Sequence, residues 1–373
     1  MIIPLAVLAA AIALAFANGA NDNFKGVATL HGSRRLSYRR ALALATFTTL
    51  AGSLSAIVVA TGLARRFSGK GVVPDEVVAD PMFILAVAIG AAVAVLLATR
   101  LGFPISTTHA PTGALLGSGL VMAGSAGVSY SALTSSFAIP LLLSPLISLV
   151  LAAGVHAGLS RVVTRLEMSA PTCLCSVGAA EPVAVLGAGS VLRLQAAPLL
   201  LVASVEACER HGAQRLLAVN PRRLLDGLHM VSAGAVGFAR GLNDTPKIAG
   251  VLVATSTFAP GLGTAALAVV MAAGGLVAAR RVARTLSFDI TGMDEHEGLR
   301  ANLVTAGLVL LASPLGLPVS TTHVSCGALF GIGASNGEAR WKTIGTIAGA
   351  WTVTLPAAAL FSALAALALN VVR

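Results

Sequence analysis

A 19-residue segment occurs twice in this chain, and this duplication constrains the fold more than any other feature. Residues 101–119 read LGFPISTTHAPTGALLGSG and residues 315–333 read LGLPVSTTHVSCGALFGIG, with 12 of the 19 positions identical in a gapless alignment. A second shared segment precedes each copy, GANDNFK at 19–25 and GLNDTPK at 241–247. We call these preceding segments the first and second tags. Two segments repeated in the same order predict two homologous halves.

The tags and repeated segments place polar residues in strongly apolar surroundings. Hydrophobic residues make up 56% of the 373 residues and charged residues only 11%, and the mean hydropathy is +0.87. Soluble domains carry about 25% charged residues. The composition, with apolar runs of membrane-spanning length, predicts an all-α polytopic membrane protein surrounded by a lipid bilayer.

The net charge of +10 comes from basic residues in short loops between apolar runs. This distribution is typical of the positive-inside topology signal and does not indicate a nucleic-acid surface. Residues 31–40 contain four arginines and are predicted to be cytoplasmic, which places the N-terminus outside.

The chain divides into residues 1–159, 160–226 and 227–373. The first and last parts are predicted transmembrane repeats, and the middle part is a predicted cytoplasmic linker with partly helical content. Five crossings in each half put most basic loops on one side and give the halves opposite orientations. This is the inverted-repeat plan of secondary transporters, with discontinuous helices and helical hairpins. Whether the hairpins cross the membrane or re-enter stays open.

The Asn-Asp pair of each tag offers carboxylate and amide oxygens, which suit a small hard cation. The predicted cation ligands are Asn21, Asp22, Asn243 and Asp244. Gly19 and Gly241 would make a local helix break inexpensive, and Pro246 would do the same in the second tag. The alternative is that these side chains only hydrogen-bond neighbouring helices.

The Ser-Thr-Thr run after each repeated proline is predicted to begin a helix. Such an N-terminus presents free backbone N–H groups and hydroxyl donors, which together suit an oxyanion. We call residues 106–108 and 320–322 the first and second tips. Their predicted anion ligands, with the two aspartates, are Ser106, Thr107, Thr108, Ser320, Thr321, Thr322, Asp22 and Asp244. Plain capping of a broken helix is the alternative.

Several neighbouring residues are candidates for accessory roles. His109 and His323 could move protons or donate to the anion, or could serve only as structural donors. Lys25 and Lys247 could pair with the aspartates or attract the substrate. Arg240 is a weaker candidate for a substrate contact, and Asn18 is its counterpart in the first half.

Catalysis and a structural metal find little support in the sequence. Cys173 and Cys175 form a C-x-C pair without a His/Cys cluster to complete four ligands, and the four cysteines suggest no disulfide framework. The Thr-His adjacency lacks an orienting acid, so we predict that the chain is not an enzyme and has no catalytic residues. A membrane anion sensor that does not transport remains an alternative.

The paired G-x-N-D tags and paired P-x-S-T-T-H segments resemble those of the inorganic phosphate transporter (PiT) family, sodium- or proton-coupled anion carriers. The resemblance covers both halves but not the linker. It implies a homodimer in the plasma membrane, with both termini outside and a substrate site between the tips. It further implies that the Asn-Asp pairs bind sodium and phosphate and that the tips cradle the anion.

This chain departs from the family pattern after the first tag's Asn-Asp pair. It has Asn23-Phe24-Lys25 where small residues are more usual. The expected function is Na⁺-coupled phosphate symport by alternating access, with no cofactor besides the transported ion. Sulfate or another oxyanion as cargo, and H⁺ as the coupling ion, remain alternatives.

Overall fold

The computed structural model describes residues 2–165, 172–177, 183–186, 190–193, 199–210, 214–219, 221–253 and 260–371. The chain forms two compact units. One comprises residues 1–156 and 229–373, and the other residues 157–228.

Among the described residues, ten main helices follow one another in two sets of five, one set per half, and the tags and tips occupy equivalent places in the two sets. They are α1 Ile2–Asp22, α2 Tyr38–Val59, α3 Pro81–Leu101, α4 His109–Met122, α5 Ile139–Arg165, α6 Pro221–Val253, α7 Pro260–Ala278, α8 Glu295–Ala312, α9 Thr321–Asn336 and α10 Trp341–Val371. Short helical segments lie between them at Ala28–Gly32, Thr61–Arg66, Asp75–Val78, Gly124–Gly127, Tyr130–Leu133, Thr134–Ala138, Arg280–Arg284 and Thr285–Asp289.

Local sequence signals explain where several of these helices begin and end. The Asp80 carboxylate caps α3 by accepting from the backbone N–H of Met82, and Pro81 occupies the first turn, where its missing N–H costs nothing. Asp294 and Glu297 form a reciprocal capping box at the start of α8. Gly102 ends α3 in the left-handed region at φ 80°, a conformation that glycine adopts readily.

The all-α fold class is confirmed for the membrane helices, and the linker adds strands beside its helical content. Thr172–Val177 is the central strand of a three-stranded antiparallel sheet with Leu199–Ser204 and Gln214–Val219. Val183–Leu186 pairs with Ser190–Arg193, and Val205–Arg210 is a short helix. These strands were not predicted, although apolar runs of six residues have the length of strands rather than helices.

The sequence suggested no disulfide framework, whereas Cys208 is disulfide-bonded in the structure.

Six helical stretches in the described residues are long and apolar enough to cross a membrane: Ile3–Asp22, Tyr38–Val59, Pro81–Leu101, Tyr130–Arg161, Gly261–Ala278 and Trp341–Val371. The prediction of a polytopic membrane protein is confirmed. Helix length and composition identify six candidate spans, however, and not the predicted five in each half. The tip helices α4 and α9 have 14 and 16 residues, fewer than the ~20 that span a bilayer. Both begin at buried tips, which favours re-entrant hairpins.

The two halves pack against each other through pairs of equivalent contacts. An added Cβ at Gly52 in α2 would lie 1.9 Å from the carbonyl oxygen of Phe238 in α6. The equivalent Gly274 in α7 meets the carbonyl oxygen of Phe16 in α1 at 2.1 Å. Each half's first helix therefore packs on the other half's second helix, at a separation that admits only glycine.

Gly19 and Gly241 take part in the same packing. Added Cβ atoms there would lie 1.9 Å from the Met271 carbonyl oxygen and 2.1 Å from the Thr49 carbonyl oxygen. Both glycines are helical. The close approach of two helices requires both glycines; the predicted break is absent beside Gly241, whereas α1 ends three residues after Gly19.

Candidate functional site

The two tags and the two tips lie together in the interior of the membrane unit. The side chains of Asn21, Asp22, Lys25 and Ser106 are buried, and so are their counterparts Asn243, Asp244, Lys247 and Ser320. None of the predicted anion or cation ligands is more than 5% exposed. The structure therefore brings together all the residues that the duplication singled out, and it seals them from solvent.

The two tags differ in backbone conformation. Helix α1 ends at Asp22, and turns follow before the next helical segment begins at Ala28, so the predicted break exists in the first tag. In the second tag, α6 continues through Pro246 to Val253, and the predicted break there was wrong. A proline removes a single i→i−4 hydrogen bond, and the close packing of Gly241 on α2 holds this helix together.

Within each half, the tag aspartate accepts a hydrogen bond from the middle hydroxyl of the tip. Thr107 Oγ1 donates to Asp22 Oδ2 at 2.7 Å, and Thr321 Oγ1 donates to Asp244 Oδ2 at 3.2 Å. Both pairs are buried. Each tag and its own tip thus form one hydrogen-bonded unit.

Between the halves, the tag lysines reach the opposite tips. Lys247 Nζ donates to Thr108 Oγ1 at 2.8 Å and to the Val319 carbonyl oxygen at 2.7 Å. Lys25 Nζ donates to Thr322 Oγ1, and that hydroxyl donates to the Ile105 carbonyl oxygen at 2.6 Å. The four segments therefore form one closed network.

Each lysine also pairs with the aspartate of its own tag. The distance from Lys25 Nζ to Asp22 Oδ2 is 2.5 Å, and that from Lys247 Nζ to Asp244 Oδ1 is 3.3 Å. Each ammonium therefore has a carboxylate from its own half and a hydroxyl from the other half as partners.

The serine of each tip caps the helix that follows. Ser106 Oγ accepts from the His109 N–H at 3.1 Å, and Ser320 Oγ accepts from the His323 N–H at 3.2 Å. The predicted capping role is thus confirmed for both serines. Their hydroxyl groups fix the tips, whereas the threonine hydroxyls face the tags.

Arg240 joins the two tags. Its Nη2 donates to Asn18 Oδ1 at 2.5 Å and to the Asn18 carbonyl oxygen at 3.2 Å, its Nη1 donates to Asn23 Oδ1 at 3.2 Å, and its Nε lies 3.6 Å from Asp244 Oδ2. Asn18 is the residue equivalent to Arg240 in the first half. Because equivalent residues touch here, this point lies where the two halves meet.

A second pair of equivalent residues meets behind the tips. The imidazole rings of His109 and His323 lie 4.6 Å apart, and the Trp351 ring is 4.0 Å from that of His323. His109 Nδ1 and both ring nitrogens of His323 lack a hydrogen-bond partner in the described part of the chain. For His323, a purely structural donor role is therefore not supported.

The site holds five charged side chains, three cationic and two anionic: Lys25, Arg240, Lys247, Asp22 and Asp244. In their ordinary ionisation states, these groups sum to a formal charge of +1. Both oxygens of Asp244 accept hydrogen bonds, whereas Asp22 Oδ1 has no partner among the described residues. The cluster can therefore accept an anion, and Asp22 retains one acceptor oxygen.

Two residues that were not predicted from the sequence hold the tag asparagines. Asn21 Nδ2 donates to Thr99 Oγ1 at 2.9 Å, and Ser313 Oγ donates to Asn243 Oδ1 at 3.4 Å. Thr99 and Ser313 each stand five residues before the repeated proline. Extending the alignment two residues upstream of the 19-residue segment would have shown a hydroxyl residue in both halves.

Comparison with protein families gives a match over most of the chain. Residues 18–362 match the model described as "Phosphate transporter family". The matched range includes both tags, both tips and the linker.

Individual relatives agree with this match. A protein of Pyrococcus abyssi that is named as a phosphate permease is 28% identical over 96% of this chain and 96% of its own length. A Mycobacterium tuberculosis protein named "Probable low-affinity inorganic phosphate transporter" is 28% identical over 96% of this chain and 76% of its own length.

Among solved structures, one titled "The sodium-dependent phosphate transporter" covers 100% of both chains with a TM-score of 0.77 and 21% sequence identity. At this identity, the comparison shows that the fold is shared.

Proposed function

We propose that this chain, which belongs to the phosphate transporter family, carries inorganic phosphate across the membrane by alternating access, coupled to sodium. One observation carries the proposal: two tips rich in hydroxyl donors meet two acid-amide tags in a single buried cluster with one net positive charge. Such a cluster provides donors for an oxyanion and oxygens for a cation within one site. The curated relatives are named for phosphate transport.

The proposed anion ligands are the tip hydroxyls, with an aspartate from each tag. Hydroxyls of Thr107, Thr108, Thr321 and Thr322 already act as donors or acceptors in the network. An entering phosphate would exchange these partners for its own oxygens. Buried, preorganised donors bind an oxyanion more strongly than donors in water do.

The exchange of equivalent contacts supports alternating access. Each half makes the same contacts with the other, as Lys25 to Thr322 and Lys247 to Thr108. If the halves have opposite orientations, exchanging their conformations would turn a site open on one side into a site open on the other. The buried cluster described above would then be the closed intermediate between them.

Phosphate is the preferred cargo because of the free acceptor on Asp22. Near neutral pH, phosphate still carries a proton that it can donate, whereas sulfate carries none. Asp22 Oδ1 has no described partner, so it is available to accept that hydrogen bond. Sulfate would place a bare oxygen against the carboxylate, which is repulsive.

Sodium is the proposed coupling ion because the Asn-Asp pairs supply hard oxygen ligands. A cation bound beside the anion would strengthen the binding of each. Proton coupling is a second candidate, and one observation favours it. Both aspartates already lie within 3.3 Å of a lysine ammonium, so a sodium ion would have to share or displace that contact.

The remaining architectural proposals follow the same plan. Residues 1–159 and 227–373 would be inverted repeats, and residues 160–226 would form a cytoplasmic linker. The protein would reside in the plasma membrane as a homodimer with both termini outside. A transporter of this family is not expected to catalyse a chemical reaction on its cargo.

The direct test is uptake of radiolabelled phosphate into proteoliposomes that contain the purified protein. Uptake would be measured under an inward sodium gradient, under an inward proton gradient, and with neither. The proposal expects the sodium gradient to drive accumulation. Accumulation under the proton gradient alone would identify H⁺, and not sodium, as the coupling ion. Binding without uptake under either gradient would identify an anion sensor.

A further inference from the structure

A cavity of about 1000 Å³ opens beside the first tag, outside the buried cluster. Four arginines line it, Arg100, Arg280, Arg281 and Arg284, together with His31. No aspartate or glutamate is among its described lining residues. We call this cavity the arginine pocket.

No acid among the described residues neutralises these arginines. All four side chains are exposed, and none forms an ion pair with a residue that the structure describes. Arg281 Nη1 donates to the backbone oxygen of Arg100, which fixes the guanidinium within the pocket. Guanidinium groups match phosphate oxygens in a two-pronged geometry, so a concave cluster of four favours a phosphate group as ligand.

The pocket has a rigid aromatic wall. The ring centroids of His31 and Phe288 lie 5.0 Å apart, and those of His31 and Tyr38 6.0 Å apart. Tyr38 in turn stacks on the buried Phe24 at 5.2 Å. Packed aromatic rings therefore form one side of the pocket.

The pocket reaches the first tag through one hydrogen bond. Thr99 is 5% exposed and lines the pocket. Its hydroxyl accepts from Asn21 Nδ2 at 2.9 Å, and Asn21 precedes Asp22 in the tag. A ligand in the pocket would therefore lie beside the transport site without occupying it.

A second cavity, of about 720 Å³, occupies the equivalent place beside the second tag, where Pro246 lines it. Ala56 lines this cavity, and the equivalent Ala278 lines the arginine pocket. The charged lining residues of the second cavity are Arg65, Lys70 and Asp75. The duplicated fold accounts for both cavities, but it does not account for four arginines in only one of them.

We propose that the arginine pocket is a second phosphate-binding site, distinct from the transport site and located at the mouth that faces the basic loops. This proposal rests on the proposed function for the orientation of the protein in the membrane, and that orientation places this mouth on the cytoplasmic side. The ligand's common chemistry is a phosphate group with at least one negative charge. Its source is either free phosphate or the headgroup of an anionic lipid, because the exposed Val277 also lines the pocket.

The test measures binding of radiolabelled phosphate to the purified, full-length protein by equilibrium dialysis, independently of transport. Arg280→Gln with Arg284→Gln removes two charges from the pocket, and Thr107→Val with Thr321→Val disables the transport site. Arg65→Gln with Lys70→Gln removes two charges from the second cavity as a matched control. Dioctanoyl phosphatidic acid is the lipid probe.

We expect two phosphates per chain for the wild type and the control, and one for each of the other double variants. Phosphate retained at the transport site of the Arg280/Arg284 variant shows that this variant is folded. If phosphatidic acid binds the wild type but not that variant, and only one free phosphate binds the wild type, the ligand is a lipid headgroup. Unchanged binding of both probes in the Arg280/Arg284 variant overturns the proposal. A wild type that binds phosphate but shows no uptake would refute the transport function alone.

Discussion

Lys247 in the second tag donates a 2.8 Å hydrogen bond to Thr108 in the first tip, 139 residues earlier in the chain. The equivalent bond runs from Lys25 in the first tag to Thr322 in the second tip. The hydroxyls proposed to bind the anion are thus held by ammonium groups from the other half. Neither half contains a complete site.

Lys247→Met should lower phosphate uptake at least about tenfold. A hydrogen bond to a charged group is worth about 1.5–3 kcal/mol, and ~1.4 kcal/mol corresponds to a factor of ten. Initial uptake rates in proteoliposomes, normalised to reconstituted protein, measure the effect. Lys342→Met is the control, because Lys342 is exposed and lies outside the site. Equal rates for the wild type and Lys247→Met would contradict the cross-half role.

Thr107→Val should raise the KM for phosphate, whereas Thr107→Ser should leave it nearly unchanged. Only the serine keeps the hydroxyl that donates to Asp22 Oδ2 at 2.7 Å. Thr112→Val is a matched control, since the buried Thr112 hydroxyl bonds its own helix through the Thr108 carbonyl oxygen at 2.9 Å. Concentration-dependent uptake gives the KM of each variant. A similar increase for Thr107→Val and Thr112→Val would indicate a packing effect rather than lost anion binding.

Asp22→Asn should weaken the discrimination between phosphate and sulfate. The asparagine removes the negative charge that repels a fully ionised anion and adds an N–H donor. Competition of unlabelled sulfate against labelled phosphate measures the change. Asp244→Asn is the comparison, because both of its carboxylate oxygens are already engaged, and it should weaken phosphate binding without a gain for sulfate. Sulfate inhibition that is the same for the wild type and Asp22→Asn would remove Asp22 as the selecting group.

Gly117→Ala should destabilise the folded protein by about 1–3 kcal/mol, the usual range for overpacking. An added Cβ at Gly117 would lie 1.9 Å from the Ala359 carbonyl oxygen in α10. Gly345 in α10 has nothing within 4 Å of such a Cβ, so Gly345→Ala should instead stabilise by about 0.5–1 kcal/mol through helix propensity. Thermal unfolding of the purified variants should shift in opposite directions. Matching shifts would show that the spacing between α4 and α10 is not limiting.

His323→Leu should preserve sodium-driven uptake and maintain or raise thermal stability. Both ring nitrogens of His323 are buried without a described partner, and a buried polar group without a hydrogen bond costs free energy. Uptake and thermal unfolding measured on one preparation test both expectations. Loss of uptake with unchanged unfolding would instead place His323 on a proton path beside His109.

Much of the site could be predicted because the sequence states it twice. The tags and tips were identified from polar residues that would be costly in a membrane without a ligand or partner, and all of them meet in the structure. The capping roles of Ser106 and Ser320 also followed from local rules. Local chemistry and duplication therefore identified the tags and tips of the candidate site, but not Thr99 and Ser313, which hold the tag asparagines.

The pairing between segments could not be predicted in the same way. An alignment shows that Lys25 and Lys247 are equivalent, but it does not show which tip each contacts. The break predicted at Gly241 and Pro246 is absent, because helix packing overrode the preference of isolated residues for a break. These features depend on tertiary contacts between residues far apart in the chain, such as Lys247 and Thr108, 139 positions apart, and Lys25 and Thr322, 297 positions apart.

The first helix of each half packs on the second helix of the other half, and this packing has a consequence for biosynthesis. Phe16 in α1 meets its glycine partner, Gly274, only after α7 has been made. During translation, the side of α1 that packs on α7 must therefore lack this partner for the time needed to synthesise about 250 more residues, at ~5–20 residues per second. Insertion and packing are separate events for this helix. Ribosome-arrested chains truncated before residue 260 should contain an inserted but incompletely packed α1.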